Sequence, residues 1–149
     1  MTGPHTFGAT FAVGTVTLTV SKSGIGGAGA GTVMSGVTGI DCGADCAEVY
    51  EQGANVRLVA APDAVSAFVG WSGVTCPGVG DCLFIMDADR NIIVRFALKG
   101  DVNGSGALDL ADVILALQIS AGIKPGDTLY RASLGSAGRI GIEEVIYIL

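Results

Sequence analysis

Charge is scarce in this chain, and basic charge scarcest. Charged residues make up 15% of the 149, and eight Lys/Arg stand against fourteen Asp/Glu, for a net charge of −6. Residues 1–99 and 100–149 each carry more acid than base. With no basic patch in either part, nucleic acid and anionic membrane surfaces are poor partners. Histidine is limited to His5, near the start. Neither a Ser–His–Asp nor a Cys–His arrangement is readily built, so a non-catalytic chain is expected. Long apolar runs are also missing. No stretch reaches the roughly 18 apolar residues of a membrane-crossing helix. Met1-Thr-Gly-Pro-His5 shows no basic stretch followed by an apolar one, so no signal peptide is read there.

Glycine, by contrast, is abundant at 24 residues, and half of the chain is hydrophobic, which is too apolar for disorder. Gly24-Ile-Gly-Gly-Ala-Gly29 loosely resembles a dinucleotide-binding loop but is followed by no helix pattern. It reads as a flexible hairpin loop. The four cysteines are Cys42, Cys46, Cys76 and Cys82. Three disulfide connectivities are open, and zinc binding or free thiols are alternatives. The expected pairs are Cys42–Cys46 and Cys76–Cys82, each closing a turn, which implies an oxidising compartment.

Alternating apolar and polar residues mark the first part as β-structure. In Thr15-Val-Thr-Leu-Thr-Val20, Val16, Leu18 and Val20 fall on one face. Further strands are expected at 32–37, 47–51, 55–61, 66–71, 82–86 and 91–98. The first two should form a glycine-looped hairpin. A long hairpin loop is expected at 72–81 and a tight turn at 87–90. Phe7–Val13 is a candidate edge strand. Phe68 and Trp71 are expected in or near the core, and carbohydrate stacking on Trp71 is the less favoured use of that ring.

After Lys99-Gly100 comes Asp101-Val-Asn-Gly-Ser-Gly-Ala-Leu-Asp-Leu-Ala-Asp112. Oxygen-bearing side chains stand at loop positions 1, 3, 5, 9 and 12: Asp101, Asn103, Ser105, Asp109 and Asp112. Gly106 holds position 6, where such a loop turns sharply, and Ala107 at position 7 offers its carbonyl. A hard cation such as Ca²⁺ takes about six to eight oxygens from this spacing. Leu110, Val113, Ile114 and Leu117 then recur at helical spacing, with Gly122 and Pro125 as the stop. The frame repeats 32 residues later over Ser133–Leu149. There Asp101, Asn103, Ser105 and Asp109 are replaced by Ser133, Gly135, Ala137 and Gly141, and Glu144 alone keeps a carboxylate. One Ca²⁺ site is therefore expected, with Ser133–Glu144 degenerate.

Residues 100–149, on the strength of Gly100–Leu117, resemble the dockerin family. The resemblance implies two loop–helix repeats packed as an antiparallel helical pair, and a cohesin-like partner. In that family a hydroxyl pair late in each loop reads the cohesin, and here those positions hold Leu110-Ala111 and Ile142-Glu143. Residues 14–98 resemble the divergent internalin-B-type bacterial repeat. The matching residues are Leu18-Thr-Val-Ser21, Gly39–Cys46, Val69-Gly-Trp-Ser-Gly73, Cys76, Cys82 and Met86-Asp-Ala-Asp89. That resemblance implies a small β-grasp-like module serving as spacer or adhesion unit.

The expectation is thus a mixed fold of two small modules. An antiparallel β module, β-grasp-like or a small sandwich, spans 1–99, and a helical dockerin-like pair spans 100–149. The expected function is that of a secreted or cell-surface bacterial structural unit rigidified by Ca²⁺. The alternatives are docking to a cohesin-like partner and self-assembly with neighbouring copies.

Overall fold

The computed structural model describes residues 13–36, 39–74, 76 and 78–123. The candidate edge strand at residues 7–13, except Val13, and the second loop–helix repeat, Ser133–Leu149, lie outside these residues.

Among the described residues there are seven strands: β1 (Thr15–Gly24), β2 (Gly31–Ser35), β3 (Ala47–Glu51), β4 (Asn55–Pro62), β5 (Ser66–Ser72), β6 (Cys82–Ile85) and β7 (Arg90–Leu98). One helix, α1 (Leu110–Ser120), comes after them. The period-two faces behave as a half-buried strand should. Leu18 and Val20 are buried on β1, Val56 and Leu58 on β4, and Ile92, Val94 and Phe96 on β7.

The pairing overturns part of the expected architecture. One sheet has the order β3-β1-β7-β5 and the other β2-β4-β6. The chain therefore changes sheet at every connection, and no two strands consecutive in sequence pair with each other. The expected β1–β2 hairpin is absent, and 72–81 and 87–90 are crossings between sheets. β1 and β7 run parallel at the centre of the larger sheet, with Val20 opposite Ile92 and Lys22 opposite Val94. The module is consequently not wholly antiparallel. Parallel neighbours need a crossover between them, and five strands separate these two in sequence.

The two sheets share one core. Val33, Val56, Leu58 and Cys82 from the smaller sheet pack with Leu18, Val20, Tyr50, Ile92, Val94 and Phe96 from the larger. Phe68 and Trp71 lie partly buried against this core, ring centroids 5.0 Å apart and edge to face. Both disulfides are present, Cys42–Cys46 and Cys76–Cys82. The first ties a loop that lines β2, where the Cys42 N–H donates to the Val33 carbonyl at 2.7 Å and the Ser35 N–H to that of Ile40 at 2.9 Å. Disulfides suit an oxidising setting. No helix among the described residues is long and apolar enough to cross a membrane.

The expected helical, dockerin-like pair is also corrected. The fold is mostly β, in two sheets, and among the described residues α1 is the single α-helix. The buried face of α1 differs from the expected stripe as well. Val113 and Ala116 pack with Val102, whereas Leu110, Ile114 and Leu117 are exposed. The helix ends near the expected point, with the Gly122 N–H donating to the Ile119 carbonyl at 2.9 Å.

Candidate metal-binding loop

The last strand of the larger sheet, β7, delivers the chain to Asp101, whose N–H donates to the Leu98 carbonyl at 3.2 Å. Asp101 and Asp112 are both fully buried. Removing a carboxylate from water is costly unless hydrogen bonds replace the lost solvation. Here the backbone supplies them. Asp101 Oδ1 accepts from the N–H groups of Gly104 at 2.7 Å and Ser105 at 3.0 Å, and its Oδ2 accepts from Gly106 at 2.9 Å. Asp112 Oδ1 accepts from Val102 at 2.8 Å and Asn103 at 3.1 Å, and its Oδ2 accepts from Asp109 at 3.1 Å. The two carboxylates thus tie the first half of the loop to the start of α1.

The other predicted ligands fill in the turn. Asn103 Oδ1 accepts from the Ser105 N–H at 2.7 Å. The Ser105 hydroxyl donates to the Ala107 carbonyl at 3.2 Å. Asp109 is the N-cap of α1, its Oδ1 accepting from the Ala111 N–H at 2.8 Å. With the bond from the Asp109 N–H to Asp112, this makes a reciprocal cap that satisfies two otherwise unpaired donors. A negative side chain also suits this positive end of the helix. Gly106 adopts φ +85°, the left-handed conformation expected of position 6.

Do these residues fit a calcium ion? The donors are all oxygen, as a hard cation requires. Among the described residues the buried pair has no cationic partner: the ion pairs there are Arg57–Asp81 and Arg90–Asp87, both outside the loop. Each buried carboxylate has one oxygen holding a single N–H bond, so acceptor capacity is left over. Against this, no group of three or more His, Cys, Asp or Glu able to hold a metal ion is found among the described residues. Asp101 and Asp112 are brought into one hydrogen-bonded loop, while Asp109 is engaged at the helix cap. The donor chemistry fits calcium, but a full coordination sphere is not assembled.

Elsewhere, Asp87 is held below the ordinary carboxylate range, first by the hydrogen bond from Arg90, then by its own backbone and the Arg90 charge. Trp71 donates its indole N–H to the Gly80 carbonyl at 2.9 Å.

One feature of the site escapes the sequence pattern. The backbone of Gly26, in a 3-10 turn over Ile25–Gly27 between β1 and β2, lies directly against the backbone of Gly106. The only signal was the density of glycine in Gly24–Gly29, because glycine permits close backbone approach. Comparison of the chain with family models, with curated proteins and with solved structures gives no match.

Proposed function

We propose that this chain is a non-catalytic, calcium-binding structural unit of a secreted or cell-surface protein, a spacer or adhesion element whose loop is stiffened by Ca²⁺. The observation that carries the reading is the buried pair Asp101 and Asp112, two carboxylates that form no ion pair with a cationic side chain among the described residues. Backbone N–H groups solvate these carboxylates but leave their net charge without a counter-charge, which is unfavourable in a protein interior. Asp101, Asn103, Ser105, the Ala107 carbonyl, Asp109 and Asp112 would hold the ion. Bound calcium would supply the missing positive charge. The loop's amides already fix the buried pair, so the side chain with most to change is Asp109. The two disulfides support an extracellular setting.

Ligand binding to the folded state stabilises it by RT ln(1 + [L]/Kd), about 2.7 kcal/mol at a hundredfold excess over Kd. EDTA is therefore expected to lower the melting temperature of the full chain relative to millimolar CaCl₂. The difference should vanish in Asp101→Ala. An unchanged melting temperature in wild-type protein would sink the reading.

A second reading, docking to a cohesin-like partner, draws on the outer face of α1. Leu110, Ile114 and Leu117 lie there at 69%, 48% and 48% exposure. Exposed apolar side chains spaced along one helix face are a form that helix-in-groove recognition uses. Calcium-dependent capture by a cohesin panel would favour it over the spacer reading.

A further inference from the structure

We propose that the Ile25–Gly27 turn is a backbone clamp on the Asp101–Asp112 loop, with Gly26 as the residue that positions it. The inference deepens the calcium reading, and rests on that reading only where affinity for the ion is concerned.

The contact is made of main chain on both sides. Gly26 has φ +63° and Gly106 φ +85°. A methyl group on Gly26 would overlap the Gly106 nitrogen and Cα and the Ser105 carbonyl carbon. A methyl group on Gly106 would overlap the Gly26 carbonyl. No side chain can be inserted from either side without moving one backbone. The segment being pressed is the one whose amides hold Asp101, namely Gly104, Ser105 and Gly106.

The turn is itself anchored. A methyl group on Gly29 would overlap the backbone of Phe96 and Ala97 on β7. The Ala30 N–H donates to the hydroxyl of the fully buried Ser66 at 2.9 Å. A closed path results. β7 runs through Lys99-Gly100 into the loop, the loop meets Gly26 at position 6, and the same turn returns at Gly29 to β7. The loop is therefore held at its start by β7 and at its sharpest bend by the β1–β2 connection. Its closure depends on the β-sandwich and not on an ion alone. Packed backbones transmit such a constraint because they have little room to yield.

Gly27 provides a matched control. It has φ +80°, yet a methyl group there would meet nothing within 4 Å. Gly27→Ala bears the cost of a left-handed alanine without the clash, so the difference from Gly26→Ala isolates the clamp. The test is amide hydrogen exchange, read by NMR on the full chain in EDTA. Wild-type Ser105 and Gly106 amides should be protected without any metal. Gly26→Ala should raise exchange at Gly104, Ser105 and Gly106 by about tenfold or more, through local opening, while Val94 and Phe96 in the core stay protected. Gly27→Ala should resemble wild type.

Equal effects of the two substitutions would overturn the clamp. So would unprotected Ser105 and Gly106 amides in wild-type protein, a result that holds even if Gly26→Ala fails to fold. Titration with CaCl₂ gives a second arm: the apparent Kd rises as the inverse of the fraction of loops that are closed, so Gly26→Ala should bind more weakly than Gly27→Ala, by about tenfold where roughly nine loops in ten stand open. If wild type binds no calcium, the metal reading fails and the exchange data still decide the clamp.

Discussion

Asp112 offers a severe test of how the loop is held. Its carboxylate is fully buried and accepts three backbone N–H groups, from Val102, Asn103 and Asp109. Asp112→Ala leaves all three donors without their acceptor at once. An unsatisfied buried donor costs about 1–3 kcal/mol. Val102 is fully buried, whereas the bonds to Asn103 and Asp109 are only part-buried, so water can enter to replace those two. The lower end of the range then applies to two of the three, and with the full range for Val102 a total of about 3–5 kcal/mol is expected for ordering the loop and the first turn of α1. Asp112→Asn is the finer probe. It keeps one carbonyl oxygen, but its amide nitrogen must take the place of one carboxylate oxygen and so face a backbone N–H. About half of the loss is expected, since at least one donor–acceptor pair becomes donor against donor. The assay is urea unfolding in EDTA, following helical circular dichroism, with amide exchange of Val102 and Asp109 alongside. A loss below about 0.5 kcal/mol for Asp112→Ala, the level of an ordinary surface change, would mean that the Asp112 carboxylate does not hold the loop.

Two further outcomes are expected. Leu58→Ala should cost about 2–5 kcal/mol in chemical denaturation, because Leu58 is fully buried between the sheets and a cavity would remain. Arg90→Ala should return the exposed Asp87 carboxyl toward its ordinary range. Any stability from that contact is present above the unfolded carboxylate range and is lost as pH falls through the depressed folded value, so the wild-type and variant melting curves should converge at low pH, with Asp87 followed by NMR titration.

The strands were the most legible part of the chain. Val16-x-Leu18-x-Val20 and its counterparts declare period two by themselves, because a half-buried strand must alternate. Their pairing was not legible. A short acidic connection such as Asp87-Ala-Asp89 looks the same whether it turns within a sheet or crosses from one sheet to the other. Here every connection crosses, and the parallel neighbours β1 and β7 come from opposite ends of the module. The two local disulfides were legible because short spacings favour turn closure. On α1 the expected stripe named Val113 correctly but missed Ala116, whose small side chain fits against Val102, and gave Leu110, Ile114 and Leu117 to the interior. In the loop, spacing identified Asp101, Asn103, Ser105, Asp109 and Asp112 as one group and Gly106 as its bend. It did not reveal that the first commitment of Asp101 and Asp112 is to backbone amides, since amide direction depends on dihedrals that side-chain identity only biases. Nor could any local pattern place Gly26 against Gly106, 80 residues apart in sequence.

Whether this loop takes up calcium is decided by isothermal titration of the EDTA-stripped full chain with CaCl₂. One ion per chain is expected, with binding abolished in Asp101→Ala and retained in Glu144→Gln. No binding heat and no displacement of a bound lanthanide at millimolar calcium would rule out a calcium site in this loop.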